Sequence, residues 1–174
     1  VVPMSRSELG SFCVPLSHLG AAVRLFRYLV LSMFSSSFTI TGTAAILYAI
    51  YLAVADKQGV PREKLTGTIQ NDFLKEYVAR GTWIFPVKPS MRLVADSILY
   101  SNDVSPLFNP ISIAGAHVRD AGSTAAEEVA YTLTNCLTYV DELRSRGVDG
   151  GKSATRLTSF FSGPMHCFDA LPQI

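Results

Sequence analysis

Residues 28 to 55 contain no charged side chain, and this run constrains the fold more than any other feature of the chain. It is long enough to cross a bilayer as one helix. Its first half, however, is crowded with hydroxyls (Ser32, Ser35, Ser36, Ser37, Thr39, Thr41 and Thr43), and Gly42 interrupts it. Strands covered on both faces of a parallel sheet are near-continuously apolar, so a buried strand–helix unit imitates a membrane span. The expectation is a buried strand at 36–40, then a helix over about 43–57, and no membrane partner.

The same alternation continues downstream. Residues 65–70 lean toward a strand, and 71–80 suit a helix with Asp72 near its start and Lys75 and Arg80 toward its end. Pro86 and Pro89 mark a loop. Ser90 is placed to cap a helix running to about residue 102, with Met91, Val94, Ala95, Ile98 and Leu99 on one face. Pro110 opens a strand at 111–114 that Gly115 ends. Ser123 is placed to cap a long helix to about 146, with Glu127 near its start and Gly147 as its stop. Residues 156–161 are a fourth strand. Alternating strands and helices predict an α/β fold with a parallel sheet and right-handed crossovers.

Composition narrows the class. A chain of 174 residues fits one domain, and a 48% hydrophobic share supports a packed core. The net charge of +1, with scattered Lys and Arg, gives no reason to expect nucleic acid. Cys13, Cys136 and Cys167 are widely spaced and odd in number. They read as free thiols in a reducing cytoplasm rather than as a metal or redox site. Early polar residues at Ser5, Arg6, Ser7 and Glu8 do not suit a secretory signal. The strand–helix pattern holds over 35–161. Residues 1–34 and 162–174 lack it, and the expectation is a piece of a longer protein whose ends read out of frame.

Polar groups collect where the strands end. Gln70 and Asn71 follow one strand, His117 follows another, and Arg80 closes the helix between them. Loops after parallel strands hold active sites in barrels, so this layout suits a barrel enzyme receiving a polar, anionic substrate. Plainer readings are open at each position. Arg80 also suits a solvated helix-end cation, His117 a satisfied core histidine, Gln70 and Asn71 helix caps, and Glu127 and Glu128 a solvated helix face.

Three stretches carry a resemblance: SSSFTITGTAAILYAIYLAVADKQGV, LTGTIQNDFLKEYVARGTWIFPVKPSMRLVADSI and FNPISIAGAHVRDAGSTAAEEVAYTL. From about residue 33 to 161 the chain resembles the substrate barrel of the methylmalonyl-CoA mutase family. The resemblance implies a (β/α)8 TIM barrel threaded by the CoA chain. It also implies adenosylcobalamin-dependent isomerisation of an acyl-CoA through radicals. A complete barrel needs about 250 residues, so the chain resembles an incomplete one, four of its eight strands. The family's Asp-x-His-x-x-Gly cobalt-ligating motif is not in this sequence, so a separate cobalamin-binding domain or subunit is the implied partner, in an oligomeric enzyme.

The resemblance also implies roles for particular residues. Ser37 and Thr39 match contacts to the CoA chain, and Thr68, Ile69 and Gln70 match the Thr-Ile-Gln substrate segment. Arg80 matches the arginine that pairs with the free carboxylate of methylmalonyl-CoA, and Ala79 a position facing cobalamin. His117 matches the catalytic histidine at the thioester carbonyl. Arg156, Leu157 and Thr158 match a CoA-contact segment whose usual third residue is Ser. The sequence departs from the pattern at Ala116, where an aromatic Tyr is usual, at Leu107 for Lys, and at Thr41 for Asn. An isobutyryl-CoA or hydroxyisobutyryl-CoA mutase, whose members tend to place Gln at Arg80, is the alternative isomerase. A non-catalytic fragment is the alternative from another class, and the isolated chain is expected to be inactive.

Overall fold

The computed structural model describes residues 16–149, 151 and 156–163. Helix α1 (Leu19–Leu25) leads through a 3-10 turn at Leu31–Met33 into strand β1 (Ser35–Phe38) and helix α2 (Ala44–Gln58). Strand β2 (Thr66–Ile69) follows, then a π-helical turn (Glu76–Arg80) and helix α3 (Val87–Val104). Strands β3 (Phe108–Asn109) and β4 (Ser112–Ala114) precede the short helix α4 (Ala116–Asp120), the long helix α5 (Ala125–Ser145) and strand β5 (Thr158–Phe160). The uncharged run is therefore a turn, a strand and a helix, and no helix among the described residues is long and apolar enough to cross a membrane.

Among the described residues all strand pairs are parallel: β1 with β2, β2 with β3, and β4 with β5. The two sheets join at Pro110. Gln70, just past β2, accepts from Ser112 N–H at 2.9 Å while its own N–H donates to Phe38 O at 2.9 Å. Strands β3 and β4 thus run along β2 as one strand broken at Pro110, which has no N–H to offer the ladder. Asn71 covers the break, donating its backbone N–H to Ile40 O at 2.8 Å and its amide Nδ2 to Pro110 O at 3.2 Å. It does so from a left-handed backbone, φ 50°, that Asn tolerates better than most residues. The result is four parallel strands in chain order with helical crossovers, an open segment of a β/α barrel.

Alternation along the strands separates two faces. Ile69 and Phe108 pack with Tyr51, Leu52 and Leu65 in one core against α2. Ile111 and Ile113 pack with Val94, Ile98, Tyr139 and Leu143 in a second core against α3 and α5. The other face carries Thr68, Gln70 and Ser112. At Gly67 the neighbouring strands leave no room for a side chain: a Cβ would collide with the Ser36 carbonyl and the Phe108 ring.

Several local expectations are corrected. The strands are shorter than expected, and β3 was not anticipated, because Pro110 hid the continuity on its two sides. Helix α3 starts at Val87, not at Ser90: Pro89 sits in the first turn, where a missing N–H costs nothing, and Ser90 donates to Phe85 O instead of capping. The cap of α5 is Thr124, not Ser123, in a reciprocal capping box with Glu127. Residues 71–73 are not helical, and the segment after them ends in a π-turn closed by Gly81 N–H to Glu76 O at 2.6 Å. Glu128 is not on a solvated face: it is buried and accepts from Ser162 N–H at 2.7 Å.

Candidate functional site

The polar face of the sheet opens into a cavity of about 260 Å³ lined by Ser37, Phe38, Thr39, Thr68, Gln70, Ser112 and Phe160. Four of the seven are residues expected to contact substrate. They meet because the parallel register sets Ser37 beside Thr68, and the Gln70–Ser112 bond continues the row. Two larger hollows, about 440 and 480 Å³, lie along the outer helices and contain none of the candidates.

Arg80 and His117 are brought together beyond the strand ends. Arg80 leaves the π-turn and His117 lies in α4, with Arg80 Nη1 3.2 Å from His117 Nε2. The π-turn packs against α4, which brings its last residue, Arg80, to His117. The His117 ring stands edge-on to Phe160, centroids 5.9 Å apart, which ties it to the cavity wall. Its Nδ1 is buried and has no hydrogen-bond partner. Burial holds the His117 pKa below its ordinary value, and the charges of Lys75 and Arg80 push the same way.

Beneath this pair lies a charged cluster in which the sequence suggests only a helix-dipole role for Asp72 and Lys75 and gives none to Glu76. Lys75 is fully buried, donates to Gln70 Oε1, and sits 3.8 Å from Glu76 Oε1. Burial lowers its pKa to about 8, although Asp72 and Glu76 oppose the shift. Glu76 accepts from Thr41 Oγ1 at 3.0 Å and from Thr82 Oγ1. Asp72 accepts from Tyr139 OH at 2.7 Å and Ala114 N–H at 3.0 Å. Burial nonetheless raises the pKa of Asp72 and lifts that of Tyr139 well above the phenol range. The signal was present as acid, base, acid at 72, 75 and 76, directly after a strand, with Lys75 and Glu76 at i+3 and i+4 spacing from Asp72.

The remaining candidates are placed differently. Ile69 is in the core, away from the cavity. Arg156 donates Nη2 to Phe108 O, Thr158 Oγ1 donates to Ile111 O at 3.1 Å, and Leu157 packs on the second core. Arg156 and Thr158 thus hold backbone carbonyls along the β3–β4 segment, while Phe160, two residues beyond Thr158, reaches the cavity. Ala79 is half-buried on the π-turn, with Tyr77 and Val78 exposed beside it and Trp83 stacked on Tyr77 at 5.5 Å. Ser112 and Phe160 were missed: Ser112 looked like one small residue inside an apolar strand, and its face became visible only with the register. Among the described residues no cluster of His, Cys, Asp and Glu could hold a metal ion, and Cys136 is a free thiol.

Comparison with known proteins completes the description. The family model described as methylmalonyl-CoA mutase matches residues 2–173. The chain is 42% identical over 159 residues to a 2-hydroxyisobutanoyl-CoA mutase large subunit of Aquincola tertiaricarbonis, covering 91% of this chain and 28% of that protein. It is 40% identical over 143 residues to an ethylmalonyl-CoA mutase of Cereibacter sphaeroides, covering 82% of this chain and 22% of that protein. It is 39% identical over 166 residues to a methylmalonyl-CoA mutase large subunit of Streptomyces virginiae, covering 95% and 23%. The chain thus spans about a quarter of the length of these relatives.

Proposed function

Because this chain belongs to the methylmalonyl-CoA mutase family, we propose that it forms the substrate-holding segment of an adenosylcobalamin-dependent acyl-CoA mutase. The reaction would interconvert methylmalonyl-CoA and succinyl-CoA by rearranging the carbon skeleton. The observation that carries this reading is the meeting of Arg80 and His117 at 3.2 Å beside a cavity lined by hydroxyls and an amide.

The chemistry of the residues agrees with it. A guanidinium binds a carboxylate through two parallel N–H bonds, which selects a dicarboxylic acyl group. A histidine N–H aimed at a thioester oxygen stabilises negative charge developing there. Ser37, Thr39, Thr68 and Ser112 supply hydroxyls for the polar CoA chain. The apolar surface around Ala79, with Tyr77, Val78 and Trp83 exposed, suits a broad macrocycle. When bound, adenosylcobalamin supplies the radical that starts the rearrangement, while this chain's residues bind, orient and exclude water. The names of the relatives support a further subunit or domain as partner. The reducing cytoplasm expected from unpaired thiols belongs to the same reading.

A monocarboxylic substrate is the second reading, favoured by the 42% identity to the 2-hydroxyisobutanoyl-CoA mutase large subunit. The two separate in the complete mutase carrying this segment, by kcat/KM for methylmalonyl-CoA and isobutyryl-CoA with Arg80 and with Arg80→Gln. The dicarboxylic reading expects the preference for methylmalonyl-CoA to fall by about 2–5 kcal/mol, the loss of a desolvated charge pair. An unchanged ratio would mean that Arg80 does not read the carboxylate.

A further inference from the structure

We propose that Lys75 and Arg80 fix the hydrogen-bonding polarity of the site's two neutral side chains, so that Gln70 presents its amide N–H and His117 its Nδ1–H to an oxygen acceptor. The inference deepens the acyl-CoA reading above: the acceptor would be a thioester carbonyl or an oxygen of similar chemistry. Lys75 enters as a positioning residue, because it acts through Gln70.

The argument for Gln70 is one of donors and acceptors. A carboxamide has one acceptor oxygen and one donor nitrogen, and an ammonium only donates. Lys75 is fully buried and donates to Gln70 Oε1. Turning the amide over would set an NH2 against an ammonium in a dry site and leave Lys75 with only the more distant Glu76 Oε1, at 3.8 Å, which burial makes costly. The oxygen is therefore held toward Lys75, and the nitrogen is the part of Gln70 left for the cavity it lines.

His117 follows the same logic. A guanidinium has no acceptor and no neutral form in a protein, so Nε2, 3.2 Å from Arg80 Nη1, must accept. An imidazolium there would set donor against donor. The ring is thus neutral with its proton on Nδ1. That atom is buried and has no partner, which leaves a donor waiting for an acceptor. The charged groups around the ring agree: Lys75 and Arg80 oppose protonation, as burial does, and outweigh Glu76 and Asp120. Glu76 is already engaged by Thr41 and Thr82.

The test is side-chain NMR on the 15N,13C-labelled full chain without ligand at neutral pH, so its outcome is independent of whether the acyl-CoA reading holds. The expected result is His117 as the neutral Nδ1–H tautomer. Arg80→Lys, which keeps a donor, retains it, and Arg80→Met moves the proton to Nε2. A coupling across the hydrogen bond from Lys75 Nζ to the Gln70 carboxamide carbon is expected in the unsubstituted chain. Lys75→Met should then lower the order parameter of the Gln70 amide. A wild-type His117 protonated on Nε2 or on both nitrogens overturns the proposal. So does a tautomer that Arg80→Met leaves unmoved, or a missing Lys75–Gln70 coupling. The wild-type measurements stand even if a variant does not fold.

Discussion

Lys75 is the residue whose burial has the clearest measurable consequence. Its ammonium titrates near 8 in the folded chain, against 10.5 for the ordinary side chain. Between those values the unfolded chain binds more protons, so stability rises with pH across the window, and the full penalty is present below about 8. A shift of this size corresponds to roughly 3 kcal/mol. Cys136, Tyr51 and Tyr139, with raised pKa values, act in the opposite sense at alkaline pH. The prediction is therefore differential: the unfolding free energy of wild type minus that of Lys75→Met increases from pH 8 to 10.5 in urea titrations. A flat difference would mean that the ammonium is not desolvated. For His117, His117→Ala in the complete mutase should slow methylmalonyl-CoA and isobutyryl-CoA alike, by 10²-fold or more, because both carry the thioester. The placement of Gln70, Arg80 and His117 beyond the strand ends was legible from sequence because each follows a strand or helix end. Lys75 and Glu128 were not, because a charged residue in a helical run reads as solvated until its partners, far along the chain, are known.

Elements were legible in order and type, less so in their limits. Hydroxyl-rich β1 and the glycine in β2 resemble loops by propensity, yet their register depends on that glycine. Gly67→Ala puts a methyl into the Ser36 carbonyl and the Phe108 ring, and Phe108 is wholly buried. Overpacking of this kind costs about 1–3 kcal/mol, and backbone on one side leaves little room to relax. Thermal denaturation of Gly67→Ala should show a clear drop, with Ser in place of Gly no better. By contrast Thr124→Ala removes only the exposed capping box of α5, accepting from Glu127 N–H at 3.3 Å, and should cost about 1 kcal/mol. Both glycine collision and capping box are backbone facts. The first needs the tertiary register to be seen, while the second is written locally in Ser-Thr-Ala-Ala-Glu and was misplaced by one residue.

At the scale of the whole molecule, the parallel strands make a surface with two open sides. Among the described residues β1 pairs only with β2, and β5 only with β4. In a barrel each of these edges would have a second neighbour, and closure would cover the polar face that carries Ser37, Thr68, Gln70 and Ser112. Here Ser37 and Thr39 are exposed, and the Arg80–His117 contact is open to water. Radical rearrangement needs water kept away and the reacting groups held still, and an open sheet face does neither. The isolated chain is therefore expected to show no turnover of methylmalonyl-CoA with added adenosylcobalamin. Amide exchange gives the structural counterpart. The inner amides of Gln70, Asn71 and Ser112, bonded across strands at 2.8–2.9 Å, should be the slowest of the strand region, and those of edge strand β1 that point away from β2 the fastest. Measurable turnover, or uniform protection of β1, would mean that the chain closes its own site, for instance by pairing β1 of one copy with β5 of another.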